Sequence, residues 1–431
     1  MKTKFIMISI LPIYLTCTLC QQNRIDPLII KADTAVDIWD GTTVTKPSTY
    51  DDGGVTLADG NSYIPISTAA EYVYIANNND AWSKNYILMS DLDFSICKTN
   101  NISAPLIAAG DTSKSFTGIL DGNGHKISNL YHYYKADKFY LGSYYVGLFG
   151  SNEGTICNLV VSNISLTAEH TNLSKDFAGL YIGTIAGLNE GQIYNITIMN
   201  CNILGINDKT IYAGGVAGYQ RVLSNKEANI QNCAILESEV NFSGPTNILG
   251  NGGLVMASGS GGTVSNCYAY NSNLISSGRG TTNTSDYQTK DNMEELVNEL
   301  NEVIGDEVFS TDGTINRTPE METAEKIANF YADTTDICDD IDRAPELLEE
   351  YENLSDSEKE LFQSSGMYDR LMYLMEIYNN RSAKVSTSQS NLLSFNISNI
   401  NKLSTLCILG ITSLTSIIIY MFLAKKHKQN L

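Results

Sequence analysis

The sequence predicts a mainly β chain: a parallel β-solenoid, then a small α-helical module and a C-terminal transmembrane helix. Three observations lead there. An apolar residue, a spacer and Asn recur five times, an acidic stretch of helical periodicity follows, and a long uncharged run lies near the C-terminus. The recurring unit reads Ile127-Ser-Asn129, Ile156-Cys-Asn158, Ile193-Tyr-Asn195, Ile230-Gln-Asn232 and Val264-Ser-Asn266, in steps of 29, 37, 37 and 34 residues. A near-constant period of this size marks a stack, because one unit cannot bury its own apolar face and must lie against the next. At 431 residues the chain is too long for one ordinary globular core, a limit that a solenoid escapes by growing along one axis.

Residues 1–21 read as a cleaved signal peptide. Met1 to Lys4 is a basic start, Phe5 to Leu19 an apolar run, and Gln21 begins the polar chain. Residues 22–115 form a lead-in and cap, in which Thr68 to Asn77 carries Ala70, Val73 and Ile75 at helical spacing before a strand at Tyr86 to Met89. The repeats occupy 116–285. Their glycines, Gly147, Gly150 and Gly154 in one coil and Gly183, Gly187 and Gly191 in the next, are read as supplying positive φ where strands turn. Asn129, Asn158, Asn195, Asn232 and Asn266 are read as one internal amide ladder, since each lies two positions after an apolar residue and shares its face. Surface turns that favour Asn are the alternative.

Residues 286–380 hold 26 acidic and 6 basic residues, so this segment carries the whole net charge of −20 and the remainder is balanced. Leu296, Leu300 and Ile304 share a helical face there, and Ser355-Asp-Ser-Glu358 is a capping-box start. The segment is expected to be a solvated helical stalk. A Ser/Asn-rich linker spans 381–402. Residues 403–424 are uncharged and long enough to cross a bilayer, which takes roughly 20 residues. The tail, 425–431, opens Lys425-Lys426-His427-Lys428 and belongs in the cytoplasm by the positive-inside rule. Signal and anchor together predict a single-pass membrane protein with its N-terminal region outside the cell.

Composition removes several functions. Without a basic stripe no nucleic-acid partner is expected. Between the two apolar ends the cysteines are Cys97, Cys157, Cys201, Cys233, Cys267 and Cys338, with no CxxC pair. Cys233 and Cys267 each follow a repeat Asn and are expected to stack, buried, in neighbouring coils. The histidines, His125, His132, His170 and His427, form no HExxH, and no phosphate loop follows a glycine run; no metal site and no cofactor is assigned. Ten Asn-x-Ser/Thr sites, Asn163 and Asn195 among them, would be glycosylated only in a eukaryotic secretory route.

Gly147-Leu-Phe-Gly150, the recurring glycine units, Phe116-Thr-Gly-Ile-Leu-Asp-Gly-Asn-Gly-His-Lys-Ile127 and Asp91-Leu-Asp93 together resemble GLUG-motif surface proteins over about Ile64 to Ser277. The resemblance implies a right-handed parallel β-helix on a cell-surface or secreted protein, adhesin-like and seldom enzymatic. Two departures stand out: the later glycine units have lost parts of the pattern, and no LPxTG signal precedes the terminal span. The function expected is presentation of a β-helix for adhesion or ligand binding, without catalysis, toward a host or matrix protein or a surface glycan. Tyr133, Tyr134, Tyr140 and Tyr144 are the candidate contacts, because exposed Tyr offers flat amphipathic area. Two rivals remain. One is a polysaccharide lyase or glycosidase in which Asp91, Asp93 and Asp121, with His125, do acid–base work or hold Ca²⁺; it requires those carboxylates to converge in one groove. The other is a structural spacer.

Overall fold

The computed structural model describes residues 36–110, 114–135, 142–171, 177–223, 226–244, 250–277, 280–333 and 341–381. The expected signal peptide, transmembrane helix and tail, and all but the first residue of the linker, lie outside them. Among the described residues no helix is long and apolar enough to cross a membrane. Contacts divide the chain into two units, 1–332 and 333–431.

The first unit contains a parallel β-solenoid of about five turns. Each full coil contributes one strand to each of four walls. The first wall stacks Thr155–Ser162, Gln192–Met199, Asn229–Leu236 and Thr263–Tyr270. The second stacks Tyr131–Lys135, Ser165–His170, Asn202–Asn207, Glu239–Ser243 and Asn273–Ser277. The third runs from Gly142–Val146 through Phe177–Gly183, Ile211–Gly214 and Gly250–Gly253 to Gly280–Asn283. The fourth holds Phe149–Asn152, Ala186–Asn189, Ala217–Arg221 and Met256–Ser260.

Register follows the repeat. Leu159, Ile196, Cys233 and Cys267 lie directly above one another, as do Val161, Ile198, Ile235 and Ala269. Both columns point inward and are almost wholly buried, and the residues between them, such as Val160 and Ala234, point the other way. Cys97, Cys201, Cys233 and Cys267 belong to this core, and Cys157 is buried outside it, in register with Asp121 and Tyr194. Cys97, Cys157, Cys201, Cys233 and Cys267 are unpaired thiols, and burial pushes Cys97 up to about 11 and Cys201 up to about 12. A buried thiol is out of a reagent's reach. Alkylation with iodoacetamide at pH 8 is therefore expected to spare these five in the native protein and to label all of them in 6 M guanidinium; native labelling at any of them would show an open coil.

The glycines of the repeat do a different job from the one the sequence suggested. Gly147, Gly150, Gly154, Gly183, Gly187 and Gly191 are absent from the positive-φ region, which the turns fill with Asn instead: Asn158, Asn163, Asn195, Asn200, Asn232 and Asn266 have φ between 51° and 54°. The glycines are required by close approach between coils. A Cβ on Gly154 would stand 2.0 Å from the Gly118 carbonyl oxygen, and one on Gly191 would stand 2.1 Å from that of Gly154. Asn tolerates the left-handed turn because its short amide bonds locally, so the two special residues divide the two constraints.

The lead-in is more than a lid. Ser62–Ile66 and Tyr86–Leu88 pair in parallel and extend the first wall below Ile119–Asp121, while Val55–Thr56 closes the edge antiparallel. An edge this short gives another chain little to pair with. Helix α1 (Ala69–Asn77) starts at a capping box, Thr68 with Glu71, and buries Tyr72, Val73 and Ile75. Helix α2 (Ser95–Asn100) follows a two-residue strand, Leu92–Asp93, and ends on Asn101 in the left-handed conformation.

The segment read as a stalk is divided. Helix α3 (Met293–Ile304), capped by Asn292 and Gly305, lies against the outside of the first wall, where Leu296, Val297 and Leu300 pack with Val160, Ala234 and Tyr268. Phe309 and Ile315 join the same cluster. The first wall is thus apolar on both faces, which is why Leu159-Val160-Val161 and Cys233-Ala234-Ile235-Leu236 run without a polar residue. Helix α4 (Pro319–Asp333) lies in the first unit but for its last residue. The second unit holds α5 (Ala344–Glu352), α6 (Asp356–Ser364) and helical residues 367–381. The Ser355–Glu358 capping box opens α6, and the Tyr351 ring packs on Phe362 and Tyr368 with centroids 5.3 and 5.0 Å away.

Candidate ligand-binding faces

Two columns of left-handed residues run up the solenoid, five residues apart in each coil from Asn158 and Asn163 onward; the Asn of the first are half-buried at turns while Ile156, Ile193 and Ile230 are fully buried, so the ladder is not internal as expected. In the first, Asn266 Nδ2 donates to Asn232 Oδ1 at 3.0 Å, Asn232 to Asn195 at 3.1 Å, Asn195 to Asn158 at 3.0 Å, and Asn158 to the Asp121 carboxylate at 3.1 Å. Asn129 is not a member. It belongs to the second column, where Asn163 donates to Asn129 at 3.1 Å and Asn129 donates to Asp93 at 2.9 Å. Strand register gives the reason: Ile127 faces Val161, and it is Asp121 that stands opposite Cys157. The odd step of 29 residues joined two columns. Each column ends on an Asp because every amide N–H points toward the first coil, and the last acceptor needs no donor of its own.

A third column was not foreseen as a ladder. Asn152 Nδ2 donates to Asn189 Oδ1 at 2.9 Å, and Asn189 Nδ2 to Gln220 Oε1 at 3.1 Å, all three side chains being buried. The recurrence of Asn-Glu-Gly at Asn152 and Asn189 is its sequence signal, and Gln220 replaces the third Asn. Beside it, Glu190 pairs with Arg221, and Lys226 with Glu153 at 2.8 Å.

Of the tyrosines proposed as contacts, Tyr133 is exposed, and Tyr140 lies outside the described residues. Tyr134 and Tyr144 are half-buried and stack on each other, centroids 4.2 Å apart and planes 11° off parallel, with the His170 ring against both. Tyr134 and Tyr144 share register with Ala168 and Leu180, which face the core, so their rings turn inward. Burial lowers His170 to about 4, leaving it a neutral packing group.

A different set faces outward. Tyr145, Tyr181 and Tyr212 align on successive strands of the third wall, alternating with buried Leu180, Ile182 and Ala213. Their centroids are 5.2 and 4.9 Å apart, and Tyr219 of the fourth wall closes edge-on against Tyr181 and Tyr212 at 5.7 and 4.9 Å. The signal was present: each of the three stands two residues before a corner glycine, Tyr145-Val-Gly147, Tyr181-Ile-Gly183 and Tyr212-Ala-Gly214.

The carboxylates of the enzyme reading do not converge. Asp121 is held by Asn158 and the Asn123 amide, and burial drives its pKa up; Asp93 accepts from Asn129 and from the Ser95 amide. Asp91 alone meets His125, Nδ1 to Oδ1 at 3.3 Å. On its other side the His125 Nε2 lies 3.3 Å from Glu325 of α4, and Glu325 pairs with Arg317. Arg317 Nε also donates to the Asn123 carbonyl at 3.1 Å. Two hundred residues apart in sequence, these groups fasten α4 to the first coil.

No family model matches the chain, so the GLUG resemblance rests on its residues alone, and no solved structure matches. One curated protein is similar: halomucin from Haloquadratum walsbyi, 33% identical over 135 residues, which is 30% of this chain and 1% of that protein. The match is therefore local, and the chain spans a very small fraction of its relative's length.

Proposed function

We propose that this is a cell-surface protein, held by a C-terminal membrane span, whose right-handed solenoid binds a host or matrix ligand through the Tyr145–Tyr181–Tyr212–Tyr219 stripe and does not catalyse. The observation that carries the reading is the stripe itself: four half-exposed rings in mutual contact across three coils, on a wall whose inward face is fully packed. Tyr and Trp dominate binding faces because a rigid amphipathic ring offers much contact area at small entropic cost. Compatible with a surface role are the solenoid and the local similarity to halomucin. Against catalysis stands the separate structural engagement of Asp91, Asp93 and Asp121.

The test is cell display of the full chain against matrix-protein and glycan arrays, beside a Tyr181→Ala/Tyr212→Ala variant. Loss of two interface rings at about 1–2 kcal/mol each is expected to weaken binding at least tenfold. Equal binding by a variant with unchanged circular dichroism would remove the stripe from the function. Sugar release from any arrayed polysaccharide would restore the enzyme reading.

A further inference from the structure

We propose that the concave corner between the first and second walls is a glycan groove, selective for chains that bear carboxylates. The groove holds about 500 Å³ and crosses three coils, with Asn129, Asn163 and Asn200 along it and Lys98 and Thr99 of α2 on the rim. It uses none of the residues of the Tyr stripe, and either site can fail without the other.

The second Asn column is what makes the groove a site. The first column is bonded amide to amide through four coils, but the second stops at Asn163. Asn200 repeats the same left-handed turn, with φ 54°, yet its side chain makes no bond among the described residues, and Asn163 Oδ1 accepts none. One free acceptor and one complete free amide therefore line the groove a coil apart, about 4.8 Å. An amide both donates and accepts, as does a hydroxyl, so a row of sugar hydroxyls meets both demands, whereas an apolar peptide anchor meets neither. Tyr131, half-exposed beside them, offers a ring face to the C–H side of a sugar.

Charge selects among glycans. Lys98 is exposed and has no ion pair among the described residues; it is the one charged residue that lines the groove, the neighbouring Asp93 carboxylate being engaged by Asn129 and the Ser95 amide. A neutral chain leaves that charge unused; a uronate places one carboxylate against it and gains a charge-assisted bond.

Calorimetric titration of the full chain tests this, with the protein made without N-glycosylation because Asn163 lies in an Asn-Ile-Ser site. The probes are hexasaccharides of galacturonate, mannuronate and alternating glucuronate, and neutral cellohexaose. At least one uronate is expected to bind tenfold tighter than cellohexaose. Lys98→Ala is expected to abolish that preference, and Asn200→Gly, which keeps the backbone angle and removes the amide, to weaken uronate binding tenfold at an unchanged melting temperature. Tyr212→Ala should leave all these affinities alone. Binding by none of the probes, equal affinity for charged and neutral chains, or native affinity in Lys98→Ala and Asn200→Gly would overturn the proposal.

Discussion

Asn195→Ala is expected to destabilise the solenoid by about 3 kcal/mol. The estimate has two parts. Ala at φ 54° suffers a Cβ clash worth roughly 1–2 kcal/mol, and the column loses two amide bonds at about 1 kcal/mol each, one to Asn158 and one from Asn232. Asn195→Gly separates them, since glycine accepts the backbone angle and only the bonds go; about 2 kcal/mol is expected. Urea unfolding followed by far-ultraviolet circular dichroism reads both. Equal loss in the two variants would assign the whole effect to the bonds, and no loss in either would mean the column is ornamental. The same bonds bear on modification: Asn195 lies in an Asn-Ile-Thr site, but its Nδ2 is committed to Asn158, so a sugar could be attached there only by breaking the ladder.

His125→Ala is expected to cost about 3 kcal/mol at pH 5.5, because it leaves Asp91 and Glu325 facing a hole in a largely buried site. Here pH decides the size of the effect. Burial on its own would lower the His125 pKa, but the Asp91 and Glu325 carboxylates outweigh burial and hold it above the ordinary value. For Asp91 and Glu325 burial opposes ionisation, and His125, with Lys126 at one and Arg317 at the other, overcomes it and holds both low. A histidine raised on folding stabilises fully below its unfolded value near 6.5 and loses that contribution as pH climbs through the folded value; the two acids stabilise above about 4 and lose their share as pH falls through their lowered values. The fastening of α4 is therefore strongest between about pH 4 and 6.5. The melting temperature of the native first unit should fall from pH 5.5 to pH 8.5 by several degrees, and His125→Ala should flatten that slope. A slope that survives the substitution would place the titrating group elsewhere.

The sequence disclosed what repeats and hid what does not. Asn158, Asn195, Asn232 and Asn266 recur at nearly equal steps and turn at nearly equal φ, so the coil could be counted without coordinates. Asn129 misled because the chain has two left-handed turns per coil, both preceded by apolar residues, and in the first coil the ladder position is taken by Asp121 instead of Asn. The glycines misled for a related reason: a missing Cβ serves sharp turning and close approach alike, and composition does not say which. The Tyr stripe was legible in principle, since Tyr145, Tyr181 and Tyr212 keep a fixed offset from a corner glycine, but their steps of 36 and 31 residues are masked by loops of unequal length. The contact of His125 with Glu325 was not legible at all. It occurs once, between segments 200 residues apart, and leaves no periodic trace. Helix α3 was legible as a helix, yet its partner was not, because the outward apolar residues Val160, Ala234 and Tyr268 read equally well as part of a strand's core side.

Both binding faces of the solenoid depend on neighbouring coils running in parallel, one repeat apart. Paired cysteines test that arrangement directly. Asn202 stands opposite Glu239, and Leu204 opposite Asn241, in strands that run the same way. Neighbouring strands at 4.7–4.9 Å lie within disulfide reach, whereas a shift of two residues along the strand exceeds it. Under mild oxidation the Asn202→Cys/Glu239→Cys protein should form an intramolecular disulfide, and Asn202→Cys/Asn241→Cys should remain reduced. Bridging of the second pair in preference to the first would mean a different register or direction, and the stacked columns, the Tyr stripe and the groove would not exist.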